Sequence, residues 1–331
     1  MKVEILRTLK AVLICCVVIW IGLYWYLRNP QFSSGTNVTS DLTMRSDLLE
    51  RHVRYLSDLK PNRSFRNEAS LIKARDYIVE KLKESGYEVR LQEVAGAGRT
   101  FHNVVARHGS GEAKEIVVVG AHYDVADEQN PGADDNASGV AGLLERARLI
   151  QERKPKLKFP VEFVAYTLEE PPFFGSVEMG SVMHADTLKE AGITVKAMLS
   201  LEMIGYYTEE SFSQDFPIPI LAALYPTTGN FIGAVGRPQD RDLMGLFGKE
   251  MAANCDVPLV TINAPGFVQG VDFSDHRSYW AHDWPAIMIT DTAFLRNKEY
   301  HHPGDTADRL NYEKAAQVVR GVYGGLLLLA N

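Results

Sequence analysis

Four short stretches of this 331-residue chain are dominated by apolar and β-branched residues and do not alternate with polar ones. They are Ile116–Ala121 (IVVVGA), Val161–Leu168 (VEFVAYTL), Ala197–Leu201 (AMLSL) and Ala286–Thr290 (AIMIT). A strand with one wet face alternates polar and apolar residues, whereas a strand covered on both faces does not. Segments of helical period lie between them, among them Gly139–Ile150, for which Ser138 is the expected cap. The fold class that follows is α/β, with a mixed, mostly parallel central sheet flanked by helices. Strand-like runs at 87–94 and 102–106 come earlier. Two amphipathic helices precede those, one through Leu48, Leu49, His52, Val53 and Leu56 and one over Leu71–Leu82 stopped by Ser85-Gly86. Tyr312–Leu329, after Asn311, closes the chain as a packed helix. No second core-sized segment exists, so 44–331 reads as one domain.

Ahead of it, Ala11–Leu27 (AVLICCVVIWIGLYWYL) is uncharged and long enough at helical rise to cross most of a bilayer. Trp20, Tyr24, Trp25 and Tyr26 crowd its far end, as in an interfacial aromatic belt. Lys2, Arg7 and Lys10 precede the run and Arg28 follows it, which places the N-terminus in the cytoplasm and the remainder across the membrane. A cleaved signal peptide would need a small-x-small site after the run, and Tyr-Trp-Tyr-Leu-Arg stands there instead. Residues 1–28 are therefore expected to be a cytoplasmic start and transmembrane anchor, and 29–43 a polar linker.

The net charge of -7, with no basic stripe, argues against nucleic-acid binding. Cys15 and Cys16 lie within the apolar run, leaving Cys255 alone, so the domain has no intrachain disulfide. Cys/His zinc-finger spacing is absent as well. A metal here must be held by His and carboxylates.

Ligands of open α/β sheets bind beyond the carboxyl ends of the strands. Reading past each run finds His122-Tyr123-Asp124, Glu169-Glu170, Glu202, and, after a loop, Tyr300-His301-His302-Pro303-Gly304-Asp305. Gly132-Ala133-Asp134-Asp135-Asn136 stands just before the helix that Ser138 opens. An H-x-D triplet or a pair of glutamates alone is usually a surface accident, but all five segments fall on one rim. On an extended strand His122 and Asp124 point the same way, so Asp124 can orient the imidazole. Asp134 between two zinc ions, with Glu170 and Glu202 as terminal ligands, would offset most of their charge, and His122 and His301 would add one nitrogen each. The N/O set suits zinc, with cobalt or manganese as alternatives. Strand alternation would turn Glu169 away from the metal of Glu170 and free it for acid–base work.

These residues also form a pattern: His122-x-Asp124, Pro131-Gly-Ala-Asp134-Asp135-Asn-Ala-Ser-Gly139, Glu169-Glu170, Leu201-Glu202-Met-Ile-Gly205, Ser274-Asp275-His276 and Tyr300-His301-x-Pro303-x-Asp305-Thr306. From about residue 45 to the end, the chain resembles the co-catalytic dizinc aminopeptidases, a family that includes bacterial leucyl aminopeptidases and glutamate carboxypeptidase II, with glutaminyl cyclases as a divergent branch. The resemblance implies peptide substrates, a bridging Asp134, His122 with Glu202 on one ion, and Glu170 with His301 on the other. It implies Glu169 as general base, a cis peptide between Asp134 and Asp135, and Asp275 and His276 as supports behind the site. It makes Tyr300 a candidate donor to the developing oxyanion, and selects His301 over His302 because the ligand stands two residues before the proline.

Two departures stand out. Glu202 replaces the more common, shorter aspartate, and Pro171-Pro172-Phe173-Phe174-Gly175 replaces a glycine-rich continuation. That aromatic turn, with Tyr279 and Trp280, either walls a specificity pocket or packs the core. The competing functions are a one-zinc glutaminyl cyclase, a carboxypeptidase with a cationic clamp, and a receptor-like ectodomain without catalysis. A complete ligand set plus a base favours the hydrolase. Asn37-Val-Thr39 and Asn62-Arg-Ser64 are acceptors only in a glycosylating host.

Overall fold

The structure, a computed structural model, describes residues 2–28, 42, 44–109 and 113–331. The expected linker, apart from Leu42, and the Asn37 acceptor lie outside the described residues.

The chain runs α1 (Lys2–Arg28), α2 (Ser46–Ser57), α3 (Glu68–Glu84), β1 (Val89–Gly96), β2 (Arg99–His108), β3 (Glu115–His122), α4 (Gly139–Arg153), β4 (Val161–Tyr166), α5 (Gly180–Glu190) and β5 (Thr194–Glu202). It continues through β6 (Ile232–Gly236), α6 (Arg241–Ala253), β7 (Leu259–Asn263), α7 (His276–Trp280), β8 (Ala286–Thr290) and α8 (Tyr312–Leu329). One eight-stranded sheet has the order β1-β2-β4-β3-β5-β8-β6-β7. Its centre, β4-β3-β5-β8, is parallel, while β1 and β2 form an antiparallel hairpin joined antiparallel to β4. β6 runs antiparallel to β8 and parallel to β7. The mixed, mostly parallel sheet expected from the sequence is the one observed.

The absence of alternation in the four runs has a direct cause. Val117, Val119 and Ala121 face the core covered by α2, α3, α4 and α8, while Ile116 and Val118 face a second core under α5 and α7. Leu199 and Leu201 take the first side and Met198 the second, as period-two strands must. α8 begins as its sequence suggests, with the Asn311 side chain accepting a hydrogen bond from the Lys314 amide (3.0 Å). Ser138 does not cap α4 through its side chain. Its hydroxyl donates instead to the Asp134 carbonyl (2.7 Å) and accepts from the Ile204 amide (2.9 Å), tying the end of β5 to the turn before α4.

β6 and β7 have no counterpart in the sequence reading. β6 (IGAVG) carries glycine at two of its five positions and β7 (LVTIN) mixes apolar with polar residues, so neither forms a continuous apolar run or a clear period. α1 is the one helix among the described residues long and apolar enough to cross a membrane, over Glu4–Trp25.

Candidate metal centre

β3 ends at His122 and β5 at Glu202, side by side at the carboxyl edge of the parallel strands. β4 ends at Tyr166, and the chain then turns through Leu168, whose φ is 57°, to bring Glu169 and Glu170 to the same edge. Because they lie in this turn and not in a strand, their carboxylates are not split by alternation. Ligand atoms of both lie within 4.8 Å of each other and of His122. His301 comes from the loop after β8.

The fifth segment corrects the sequence reading. The carboxylate between the two histidines is that of Asp135, not Asp134. Asp135 Oδ1 is 3.3 Å from His122 Nε2 and Oδ2 is 3.1 Å from His301 Nε2. His122 Nε2 lies 3.4 Å from Glu202 Oε2, and His301 Nε2 lies 3.1 Å from Glu170 Oε2. Two donor triads, His122–Asp135–Glu202 and Asp135–Glu170–His301, therefore meet at one carboxylate. Asp134 faces the other way, its oxygens accepting from the Gly205 amide (3.0 Å) and Asn297 Nδ2 (3.1 Å). The cis peptide is likewise one residue later, between Asp135 and Asn136.

The turn that aims Asp135 is held from several sides. The two oxygens of Asp305 accept from the Asp134 and Asp135 amides (2.9 and 3.0 Å). Asn136 donates to the Leu201 carbonyl (2.8 Å) and accepts from the Met203 amide (3.0 Å), fixing the turn to the end of β5. Gly132 has φ 63°, and a Cβ there would lie 2.3 Å from the Asp135 carbonyl oxygen, so no larger residue fits.

Arg63, wholly buried, donates to the carbonyls of Leu56, Tyr123, Pro131 and Gly132. It thus clamps the residue after His122 to the loop that leads into Asp135. Burial lowers its pKa to about 10, against the pull of Asp305 and Asp135, so it stays charged at neutral pH. Arg63→Met would strand four buried carbonyls. Urea unfolding of the metal-stripped variant should show a loss of roughly 3–5 kcal/mol; an unchanged midpoint would mean that the clamp is not structural.

Asp124 lies 3.5 Å from His122 Nδ1, and its two oxygens also accept from the amides of Glu169 and Glu170 (3.2 Å each). The same carboxylate thus faces the imidazole and fixes the turn that carries both glutamates. Ser274 donates to Glu202 Oε2 (2.8 Å), and Asp275 and His276 are fully buried behind it. His302, unlike His301, is exposed. Asn62 is buried, with its amide donating to the Asp127 and Asn130 carbonyls, which leaves no room for a glycan.

Burial disfavours the charged form of His122, but Glu202 and Glu169 outweigh it and raise its pKa well above the usual histidine value. Burial raises Glu170 to about 7, and raises Glu169 well above the usual range, there reinforced by Glu202 and Glu170 and opposed by His122. Asp135 is low despite its burial, because two imidazoles face it. Both Asp135 oxygens and Glu170 Oε1 are buried without a well-aligned hydrogen-bond donor. Buried carboxylates in that condition are costly unless a cation takes their lone pairs, and the N/O composition fits zinc.

Beside the centre an apolar cavity opens, with Glu202 and Tyr300 on its lining and Leu221, Tyr225, Phe231 and Val260 among its walls. Tyr300 stacks on His301 with ring centroids 3.7 Å apart. Burial, then Asp135 and Glu170, push its phenol well above its ordinary pKa, so it keeps its proton. Phe173, Tyr279 and Trp280 are core residues and do not line this cavity. Phe173 packs edge-on against Phe65, and Tyr279 hydrogen-bonds to Tyr166 and His184.

The model of peptidase family M28 matches residues 103–324. The uncharacterized protein YfbL of Escherichia coli K12 is 50% identical over 281 residues, covering 83% of this chain and 85% of that protein. Leucine aminopeptidase 1 of Uncinocarpus reesii is 27% identical over 225 residues, covering 65% of this chain and 51% of the enzyme. Among solved structures, the LapA aminopeptidase of Legionella pneumophila superposes with a TM-score of 0.68 at 23% identity, over 87% of this chain and 72% of that one. A glutaminyl cyclase of Fimbriiglobus ruber gives 0.62 at 19% identity, over 91% and 98%. At these identities the superpositions speak for the fold alone.

Proposed function

Because this chain belongs to peptidase family M28, we propose that it is a membrane-anchored aminopeptidase that removes apolar N-terminal residues with two zinc ions and Glu169 as general base. The observation that carries this reading is the pair of donor triads meeting at Asp135, with Glu169 beside them and an apolar cavity at their edge.

His122 and Glu202 would hold one ion, Glu170 and His301 the other, and Asp135 both. Bound there, two zinc ions would supply Lewis acidity toward the scissile carbonyl and acidify an attacking water. Glu169, whose Oε2 is 3.8 Å from His122 Nε2, lies within reach of His122 and Glu170 but belongs to neither of the two triads that share Asp135. It would take the water's proton and return it to the leaving amine. The protonated Tyr300 hydroxyl would donate to the oxygen on which charge develops. Asp124 keeps the His122 ring and the Glu169-Glu170 turn in register. The walls of the cavity suit a leucine-like or aromatic side chain.

We take residues 44–331 as the peptidase domain and α1 as its anchor. Lys2, Arg7 and Lys10 against Arg28 favour a cytoplasmic N-terminus and an exported domain.

The fold does not separate this reading from a glutaminyl cyclase, so the assay must. The full-length protein in detergent, loaded with zinc, should hydrolyse leucyl and phenylalanyl amides that carry a free amine, and spare the N-acetylated forms. Activity should be lost with chelator and return as two equivalents of zinc are added. Ring closure of glutaminyl peptides without hydrolysis of free-amine substrates would overturn the proposal in favour of the cyclase.

A further inference from the structure

The anchor helix is not merely joined to the domain by a linker, since its far end is packed onto the domain at one place. Leu23 and Tyr24 of α1 pack against an apolar cluster made of Leu221, Leu224, Tyr225, Phe231 and Val260. The Arg241 guanidinium donates to the Trp25 carbonyl (3.2 Å). All of these cluster residues but Leu224 are also walls of the cavity beside the metal centre. The cavity and the end of the helix therefore share one apolar cluster.

This contact fixes where a bilayer must lie. The apolar span Glu4–Trp25 has 22 residues, a length of about 33 Å at helical rise, close to the hydrocarbon thickness. If α1 spans, Trp25 sits at the membrane interface, and whatever touches Leu23 and Tyr24 lies within a side chain's length of it. The turn Pro219–Ala223 carries Leu221, one of the residues touched. Flanking Pro219 are Ile218 and Ile220, 44% and 54% exposed and not among the residues that line the cavity. Branched aliphatic side chains at that height would meet lipid, not water.

We infer that the Ile218–Leu221 rim of the cavity is a membrane-docking surface whose partner is the lipid bilayer spanned by α1. The inference rests on the anchor reading and adds to it: the domain does not tumble on a tether but lies with the β6–β7 end of its sheet on the interface. The opposite end, β1, then stands away from the lipid by the width of eight strands, about 34 Å.

Nitroxide depth measurements on the full chain in phosphatidylcholine–phosphatidylglycerol vesicles test this. In a background with Cys15, Cys16 and Cys255 replaced by alanine, labels would be placed singly through Val18→Cys, Ile218→Cys, Ile220→Cys and Leu91→Cys. Leu91 is on β1 and 41% exposed. The label at 18 should read hydrocarbon, those at 218 and 220 a depth of about 5–10 Å at the headgroup–acyl boundary, and that at 91 water. An aqueous label at 18 would refute the anchor itself. A buried label at 18 with labels at 218 and 220 as aqueous as that at 91 would overturn the docking surface and leave the anchor standing. Spin–spin broadening at 218 and 220 without oxygen access would mean that a second copy of the chain covers this rim, and would overturn it too.

Discussion

Replacing Glu169 with glutamine should lower kcat by roughly 10²–10⁴-fold and leave zinc content and KM nearly unchanged. The amide keeps the size and position of the carboxylate, whose backbone amide remains fixed by Asp124, but it has no basic lone pair to accept a proton. Glu170→Gln is the comparison that gives the result meaning. Its Oε2 faces His301 Nε2 at 3.1 Å within a donor triad, so its loss should reach the metal first and turnover as a consequence. Zinc analysis together with kcat and KM for both variants separates them. Wild-type turnover in Glu169→Gln, or metal loss equal to that of Glu170→Gln, would reverse the assigned roles.

Asp135→Asn should be the most damaging conservative change in the chain. Each oxygen of Asp135 faces a different histidine, so one substitution weakens both triads. Zinc content should fall from two equivalents toward none. Turnover should fall roughly 10³-fold or more, the equivalent of several kcal/mol of lost Lewis-acid assistance. Asp134→Asn, its neighbour, removes a carboxylate that holds the Gly205 amide and Asn297. It should retain both ions at neutral pH, with affinity reduced by roughly 10–100-fold at most. Metal titration of the two variants side by side decides between them, and the opposite ranking would restore Asp134 to the bridging position.

That pair also shows where the sequence stops being legible. His122, Glu170, Glu202 and His301 could be placed on one rim because each stands at the end of a strand or in a motif with a proline to count from. Tandem carboxylates in a tight turn offer no such landmark. Which of them faces the site depends on the backbone at Asp135 and Asn136, whose φ values of -101° and -131° leave the helical region, and on Asp305, 170 residues further along. Arg63 was invisible for a related reason: its four acceptors are main-chain carbonyls, which leave no trace in residue identity. The central strands were readable since both of their faces are buried. β6 was not, with glycine at two of its five positions, nor was β7, whose run of three apolar and two polar residues shows no period. The contact between Leu23, Tyr24 and the cavity wall joins segments about 200 residues apart and has no local signal at all.

One consequence follows from which segments supply which function. Most of the donors sit at the ends of β3, β4 and β5, on a rigid parallel frame. Leu221, Tyr225, Phe231 and Val260, by contrast, belong to later and shorter elements around the antiparallel end of the sheet. On the proposed reading, chemistry and side-chain choice would be encoded by largely separate stretches of chain. Exchanging the block from the end of β5 through Leu295, which carries every lining residue of the cavity except Glu202 and Tyr300, for that of a relative would be expected to transplant selectivity as a unit, with the proposed metal ligands left in place. Only Glu202 and Tyr300 belong to both, so they are the seams that such a graft must match.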